Sequence, residues 1–160
     1  MNEPHRIYLS LGSNIEPAPH LRQAIELLRR HGEDLTTSSV WETNAVGVTG
    51  SNFLNVCVRL TTPLPLAEIK EKIIRPIESA LGRIRTEAKD APRPIDIDLV
   101  LYDQQPVRME YWQHAFMVVP LAELLPEFEH PTLNEKLAQV AEHMREQVWI
   151  QPKAGILFGF

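Results

Sequence analysis

Two aspartates, two positions apart, carry the clearest chemistry in this sequence. Asp96 and Asp98 lie in the alternating stretch PIDIDLVLY, so in a strand both carboxylates project from one face, about 6.5–7 Å apart along the backbone. Carboxylates at this spacing repel each other unless a cation lies between them, and Mg²⁺ is typically held by one or two carboxylates together with substrate phosphates. The pair predicts a magnesium site, with a solvated sheet face as the alternative.

The segment just before these aspartates is basic. Arg83 and Arg85 show the same two-residue spacing, and Arg93 lies between Pro92 and Pro94, which favour an extended backbone. Guanidinium groups bind phosphate oxygens through paired hydrogen bonds. Carboxylates that hold a metal, with arginines beside them, indicate phosphoryl-type transfer, in which the protein positions groups and neutralises charge. The alternative is a loop of solvated charge.

The apolar pattern predicts the strands and helices that must position these residues. Alternation predicts strands over 6–11, 53–61 and 95–102, and a β-rich run covers 35–43. Helical spacing of apolar residues predicts helices over 19–32 and 66–82. Pro76 lies inside the second helix and should kink or split it. Thr132 and Glu135 form a capping box that predicts the start of a last helix.

This order of elements predicts the fold class. Strand, helix, strand, strand, helix and strand suit an α+β fold, a ferredoxin-like α/β sandwich with a mainly antiparallel sheet and helices on one face. No repeat or linker interrupts the pattern, so residues 1–160 are expected to form a single domain. On the uncovered sheet face, Phe53 and Asn55 should lie on the same side as Asp96 and Asp98, which gathers an aromatic ring, an amide and two carboxylates.

Composition and charge narrow the class of partner. The 160 residues are 44% hydrophobic and 23% charged, as in soluble globular proteins, and the net charge of −5 disfavours nucleic acid and anionic membranes. No apolar run approaches a membrane span, and the N-terminus does not look like a signal peptide. Cys57 is the single cysteine, so no intramolecular disulfide can form, and we expect a cytoplasmic location.

Longer motifs around these residues resemble a known family. The matching stretches are LGSN at 11–14, FLN at 53–55, IESALGRIR at 77–85, PRPIDIDLVLY at 92–102 and FMVVPLAELLPEF at 116–128. In this order and spacing they resemble the 6-hydroxymethyl-7,8-dihydropterin pyrophosphokinases. The resemblance implies a ferredoxin-like fold. It also implies transfer of pyrophosphate from ATP to hydroxymethyldihydropterin, with AMP and the pterin diphosphate as products, in folate biosynthesis.

The resemblance also implies a role for individual residues. Two Mg²⁺ ions would be bound by Asp96 and Asp98, with ATP as co-substrate. The catalytic residues would be Arg83, Arg93 and Asp96. The residues that bind ATP would be Glu78, Arg85, Arg93, Leu99 and His114. The residues that bind the pterin would be Thr43, Val46, Phe53, Asn55 and Phe116.

One segment departs from the family pattern. The stretch VRMEYWQHAF places His114 where the family has an arginine, and an imidazole is a weaker phosphate ligand than a guanidinium. Arg108 or Trp112 could compensate. We therefore expect a working enzyme with weaker or slower handling of ATP, small molecules as partners, and a monomer or weak homodimer. The alternatives are a non-catalytic pterin- or nucleotide-binding paralogue and a ferredoxin-like regulatory module.

Overall fold

The computed structural model describes residues 3–45, 51–82 and 94–157. The strands are β1 (His5–Ser13), β2 (Glu33–Thr37), β3 (Trp41–Thr43), β4 (Phe53–Thr62), β5 (Asp96–Tyr102), β6 (Gln105–Pro106) and β7 (Ile150–Pro152). The α-helices are α1 (Pro17–Arg29), α2 (Leu66–Ile69), α3 (Arg75–Ala80), α4 (Ala115–Leu124) and α5 (Leu137–Gln147). A π-helical turn (Lys70–Ile74) joins α2 to α3, and a 3₁₀ helix (Met109–Gln113) precedes α4.

The strands form one antiparallel sheet. Its order is β6-β5-β1-β4-β3-β7, and β2 also pairs with β4. The long strand β1 lies in the middle, since β4 and β5 pair with its two edges. The α+β, ferredoxin-like prediction is confirmed.

Strand alternation divides the apolar residues between two cores. Ile7, Leu9 and Leu11 of β1 are buried on one face against α1 and the helical segment from α2 to α3. The expectation that helices cover one face only was too narrow, because α4 and α5 pack on the other face around Tyr8 and Cys57. The side chains of α4 are almost all apolar, which is typical of a helix buried on several sides.

Pro76 divides the second predicted helix, as expected. A proline at this position has no N–H to donate and its ring clashes with the carbonyl four residues earlier. The chain accommodates this with the π-helical turn, in which the Arg75 N–H donates to the Lys70 carbonyl across five residues.

The predicted start of the last helix is wrong. The capping-box residues Thr132 and Glu135 precede the helix, because α5 begins at Leu137. The Glu135 carbonyl instead accepts a hydrogen bond of 2.8 Å from the His130 N–H, and Asn134 has a left-handed backbone with φ 55°. These two features bend the chain away from a helix.

Among the described residues, every helix is too short or too polar to span a membrane.

Candidate functional site

Three neighbouring strands form the floor of the site. Gly12 of β1 pairs with Asn55 of β4 on one side and with Asp96 of β5 on the other. Directly paired residues of an antiparallel sheet share a face, so the amide and the carboxylate lie on the same side, about 9–10 Å apart at the backbone. A Cβ atom on Gly12 would lie 3.1 Å from Asn55 Oδ1 and 3.7 Å from the Phe53 ring. Gly12 therefore leaves open space between Asn55 and Asp96 on this face of the sheet, and we call this space the shelf.

At one end of this shelf the Asn55 side chain is held in a fixed orientation. It is buried, and its Nδ2 donates to the Trp41 carbonyl at 3.2 Å and to Thr43 Oγ1 at 3.0 Å. The oxygen Oδ1 consequently faces the shelf. Phe53 lies beside it, paired with Thr43 across the strands. An aromatic ring beside a fixed amide suits a flat, hydrogen-bonding heterocycle.

At the other end of the shelf lie the two carboxylates. Asp98 pairs with Ser10, one row beyond the pair of Gly12 and Asp96. Burial and then the charge of Asp96 raise the pKa of Asp98 to about 6. The charge of Asp96 thus disfavours ionisation of Asp98, and a hard divalent cation between these half-buried carboxylates would relieve the repulsion. In the described parts of the chain no group of three or more acidic, histidine or cysteine side chains is arranged to hold a metal ion.

A cleft of about 400 Å³ runs along the outer edge of β5. Among the described residues β6 pairs only with Leu101 and Tyr102, so the edge from Asp96 to Leu99 faces this cleft. The helical segment from Leu66 to Glu78 and the segment Val107–Tyr111 form its walls. The buried Glu78 accepts a hydrogen bond of 3.0 Å from the Ile97 N–H and thus ties one wall to the floor.

Tyr111 connects the second wall to the carboxylates. Its hydroxyl donates to Asp98 Oδ1 at 3.0 Å. Burial and the charge of Asp98 raise the pKa of Tyr111, so the hydroxyl keeps its proton and remains a donor at neutral pH. The guanidinium of Arg108 lies over the tyrosine ring, 4.8 Å from its centroid.

The raised pKa of Asp98 predicts how the stability of the metal-free protein depends on pH. Between about pH 4 and pH 6 the native carboxyl retains a proton that an unfolded aspartate, with a pKa of about 3.9, has released. The contribution of Asp98 to the free energy of unfolding therefore falls as the pH rises through this window, by about 1–2 kcal/mol after allowance for partial exposure.

Urea unfolding of the metal-free protein checks this expectation. Asp98→Asn should be more stable than the wild type at pH 7.5, and its advantage should shrink at pH 4.5. The comparison with wild type at each pH removes the effect of the other carboxylates. An advantage of the same size at both pH values would show that Asp98 titrates as an ordinary aspartate.

Comparison with known sequences decides the family. The sequence profile described as 7,8-dihydro-6-hydroxymethylpterin-pyrophosphokinase (HPPK) matches residues 8–126. The chain belongs to this family. The motifs that suggested the resemblance lie almost entirely within the matched range, so the recognition from sequence is confirmed.

Two bacterial relatives named 2-amino-4-hydroxy-6-hydroxymethyldihydropteridine pyrophosphokinase support the assignment. The protein from Aquifex aeolicus is 34% identical over 143 residues, which are 83% of this chain and 88% of that protein. The protein from Methylorubrum extorquens is 36% identical over 149 residues, which are 84% of this chain and 93% of that protein. The HPPK relatives are thus matched over most of their length.

Solved structures share the fold. An HPPK-DHPS structure from Plasmodium falciparum has a TM-score of 0.70 at 14% identity, over 92% of this chain and 46% of that chain. An HPPK-DHPS structure in complex with substrates has a TM-score of 0.66 at 13% identity, over 91% of this chain and 44% of that chain. The chain spans about half the length of these proteins, and at such low identity the likeness shows the HPPK fold alone.

The structure brings most of the predicted HPPK site residues into two groups. Glu78, Asp96, Asp98 and Leu99 line the cleft along β5. The second group, around the amide end of the shelf, consists of Thr43, Phe53 and Asn55. The predicted residues Val46, Arg83, Arg85 and Arg93 lie outside the described residues.

His114 and Phe116 lie apart from the cleft. Their rings stack at the start of α4, with centroids 5.0 Å apart, and His114 is exposed. Neither residue lines the cleft along β5. Their assignment to ATP and to the pterin stays a prediction.

The structure distinguishes the two candidates for compensating the altered segment. Trp112 is buried in the second core, where its ring stacks on Phe128 with centroids 5.9 Å apart, so it is turned away from the cleft. Arg108 lines the cleft. Sequence reasoning missed Tyr111 and the spatial role of Gly12. The LGSN motif was a signal for Gly12, whereas the segment around Tyr111 has no periodic pattern.

Proposed function

We propose that this chain is a working HPPK enzyme, which transfers the pyrophosphoryl group of ATP to 6-hydroxymethyl-7,8-dihydropterin in folate biosynthesis. The observation that carries the proposal is the shelf over Gly12. A fixed amide and an aromatic ring at one end suit the pterin, and a pair of carboxylates at the other end lies next to a cleft that suits a nucleotide.

The shelf gives the reaction its geometry. A pterin bonded to Asn55 and lying against Phe53 would extend its hydroxymethyl group over Gly12 toward Asp96. The hydroxyl oxygen would form a bond to the β-phosphorus of ATP while the bond from that phosphorus to the oxygen bridging it to the α-phosphate breaks, and AMP would leave with the electron pair. Holding both reactants in line in this way removes much of the entropic barrier. We propose that Asp96 receives the hydroxyl proton.

We propose that Asp96 and Asp98 hold Mg²⁺, with two ions in the working complex. Bound there, the metal would neutralise phosphate charge and lower the pKa of the substrate hydroxyl. The shared face of the two carboxylates and their place in the cleft support this assignment. We further propose that Arg83, Arg85 and Arg93 contact the phosphates and that Glu78 and Leu99 bind ATP.

The domain number, cellular location and oligomeric state are still expected from the sequence alone. A single domain, a cytoplasmic location and a monomer or weak homodimer remain our expectations. The non-catalytic alternative would not require both carboxylates to be retained beside the cleft, and both are present there.

The proposal is tested by incubating the protein with ATP, Mg²⁺ and hydroxymethyldihydropterin. We expect AMP and the pterin diphosphate in equal amounts, detected by chromatography, and no product when EDTA is added. Ligand binding without AMP above a control that lacks enzyme would instead establish the non-catalytic paralogue.

Replacement of Phe53 tests the assignment of the two substrates. Phe53→Ala removes the ring beside Asn55, so we expect the KM for the pterin to rise about tenfold, because an aromatic contact of this kind contributes about 1 kcal/mol beyond its buried area. The KM for ATP should stay within about twofold. Steady-state kinetics with each substrate varied in turn measures both values. A change confined to ATP would place the ring against the nucleotide instead.

A further inference from the structure

Tyr111 makes two contacts with groups of opposite charge. Its hydroxyl donates to Asp98 Oδ1 at 3.0 Å, and its ring lies under the Arg108 guanidinium at 4.8 Å. The side chain is half-buried in the wall of the cleft. One aromatic residue thus links a carboxylate of the floor to a cation of the wall.

The backbone around Tyr111 is held in place, beginning with the Tyr111 N–H, which donates to the Arg108 carbonyl at 3.2 Å. The next residue, Trp112, is buried, and its carbonyl accepts a hydrogen bond of 2.8 Å from His130 Nε2. His130 is itself fixed, because its Nδ1 accepts from the Thr132 N–H at 3.2 Å. The Tyr111 carbonyl accepts from the His114 N–H at 3.1 Å. Tyr111 therefore extends from a rigid base toward Asp98.

Arg108 occupies a backbone conformation that disfavours an arginine. Its φ of 55° is left-handed, and outside glycine such conformations are costly and concentrate at functional sites. Within the described parts of the chain its ion pair is with Glu110 at 3.1 Å, between two exposed side chains, and such pairs contribute little to stability. The fold therefore gives little reason for an arginine at this position, whereas the cleft that it lines does.

The cleft has more acidic than basic side chains among its described lining residues, so an anionic ligand would depend on the few cations, Arg108 among them. Among its described lining residues, three are carboxylates (Glu78, Asp96 and Asp98) and two are cations (Lys70 and Arg108). A nucleotide polyphosphate entering this cleft needs donors on the wall that faces the carboxylates. A guanidinium has five N–H donors in a fixed fork, so four remain after the bond from Nε to Glu110.

We infer that Tyr111 is a positioning residue. Its hydroxyl fixes the Asp98 carboxylate, and its ring fixes the Arg108 guanidinium, which binds the polyphosphate. This inference rests on the proposed function. The hydroxyl occupies one oxygen of Asp98 and leaves the other directed toward the metal site. The ring holds the guanidinium over the cleft, where it meets the phosphates of the nucleotide.

The two contacts can be separated by mutation. Tyr111→Phe keeps the ring and removes the hydroxyl, whereas Arg108→Gly removes the guanidinium and also relieves the left-handed backbone. Tyr111→Leu removes both contacts. Arg29→Met is the matched control, because Arg29 is an exposed arginine of α1, which packs on the opposite face of the sheet.

Binding to the whole 160-residue chain provides readouts that do not depend on turnover. Mn²⁺ alone, followed by water-proton relaxation, probes the carboxylates. Calorimetry with α,β-methylene-ATP probes the polyphosphate contacts, since the bond that would break is replaced, and adenosine probes the nucleoside alone. Thermal melting checks that each variant is folded.

We expect a separate loss in each variant. Tyr111→Phe should weaken Mn²⁺ binding about tenfold, in line with the effect of residues that orient metal ligands. Arg108→Gly should weaken α,β-methylene-ATP about tenfold, leave adenosine and Mn²⁺ unchanged, and melt no lower than the wild type. Tyr111→Leu should show both losses, and Arg29→Met should show neither.

Several results would overturn the inference. These are wild-type Mn²⁺ affinity in Tyr111→Phe, wild-type α,β-methylene-ATP affinity in Arg108→Gly, or equal losses for α,β-methylene-ATP and adenosine. The proposed function fails differently, because it fails when the wild type binds Mn²⁺ and α,β-methylene-ATP and yet forms no AMP with the pterin. In that case the binding measurements still decide the role of Tyr111.

Discussion

Replacing Asp98 with alanine should reduce kcat by about a thousandfold or more and leave the protein folded. The proposed reaction brings a nucleotide polyphosphate to a site with two carboxylates, and metal binding there is expected to contribute several kcal/mol to stabilising the transition state. With Asp98 gone, one carboxylate remains to hold the metal. AMP release, followed at saturating substrate and several Mg²⁺ concentrations, measures the loss.

Two further variants make this result specific. Asp98→Asn retains an acceptor for the Tyr111 hydroxyl and removes only the charge, so its turnover should fall nearly as far. Asp34→Asn alters an exposed aspartate of β2 and should leave turnover unchanged. Activity within about tenfold of the wild type in both Asp98 variants would rule out this carboxylate as a metal ligand.

Replacing Gly12 with valine should weaken pterin binding about a hundredfold while nucleotide binding persists. Even the first added carbon would lie 3.1 Å from Asn55 Oδ1, closer than normal packing allows. The amide would have to move, and the shelf proposed to hold the pterin would be filled. Loss of the hydrogen bonds to the amide and of the aromatic contact together would cost about 2–3 kcal/mol, which is on the order of a hundredfold in affinity.

The substitution series provides its own control. Gly12→Ala adds only the first carbon and should show a smaller loss than valine. Calorimetry with the pterin, and separately with α,β-methylene-ATP, measures the two affinities on the same protein samples. Equal weakening of both ligands would mean that valine disturbs the sheet as a whole rather than the shelf.

The sequence was a reliable guide to which face each side chain occupies. The period of two in a strand places Asp96 and Asp98 together without knowledge of any partner strand. The register of β1 with its two neighbouring strands could not be predicted in this way. It depends on how β1 pairs with both neighbours, including a register shift between Tyr8 and Leu9, and only that pairing puts Gly12 between Asn55 and Asp96.

The wall of the cleft formed by Val107–Tyr111 could not be predicted from sequence patterns. Arg108 and Tyr111 lie in a segment with a left-handed residue and a short 3₁₀ helix, neither of which has a marked apolar period. The predicted capping box failed for a related reason. The capping motif at Thr132 competed with hydrogen bonds made by His130, whose Nδ1 accepts from the Thr132 N–H and whose own N–H donates to the Glu135 carbonyl. His130 is held in place by its contact with the distant Trp112 carbonyl, and these bonds determined the backbone.

The central place of β1 has a consequence for how substrates enter. Both edges of this strand are hydrogen-bonded, to β4 over nine residue pairs and to β5 over six, so its backbone amides should be among the last to exchange with solvent. The strand beneath the proposed substrates should consequently stay rigid during turnover. Any motion that admits or releases a ligand should then occur in other segments of the chain.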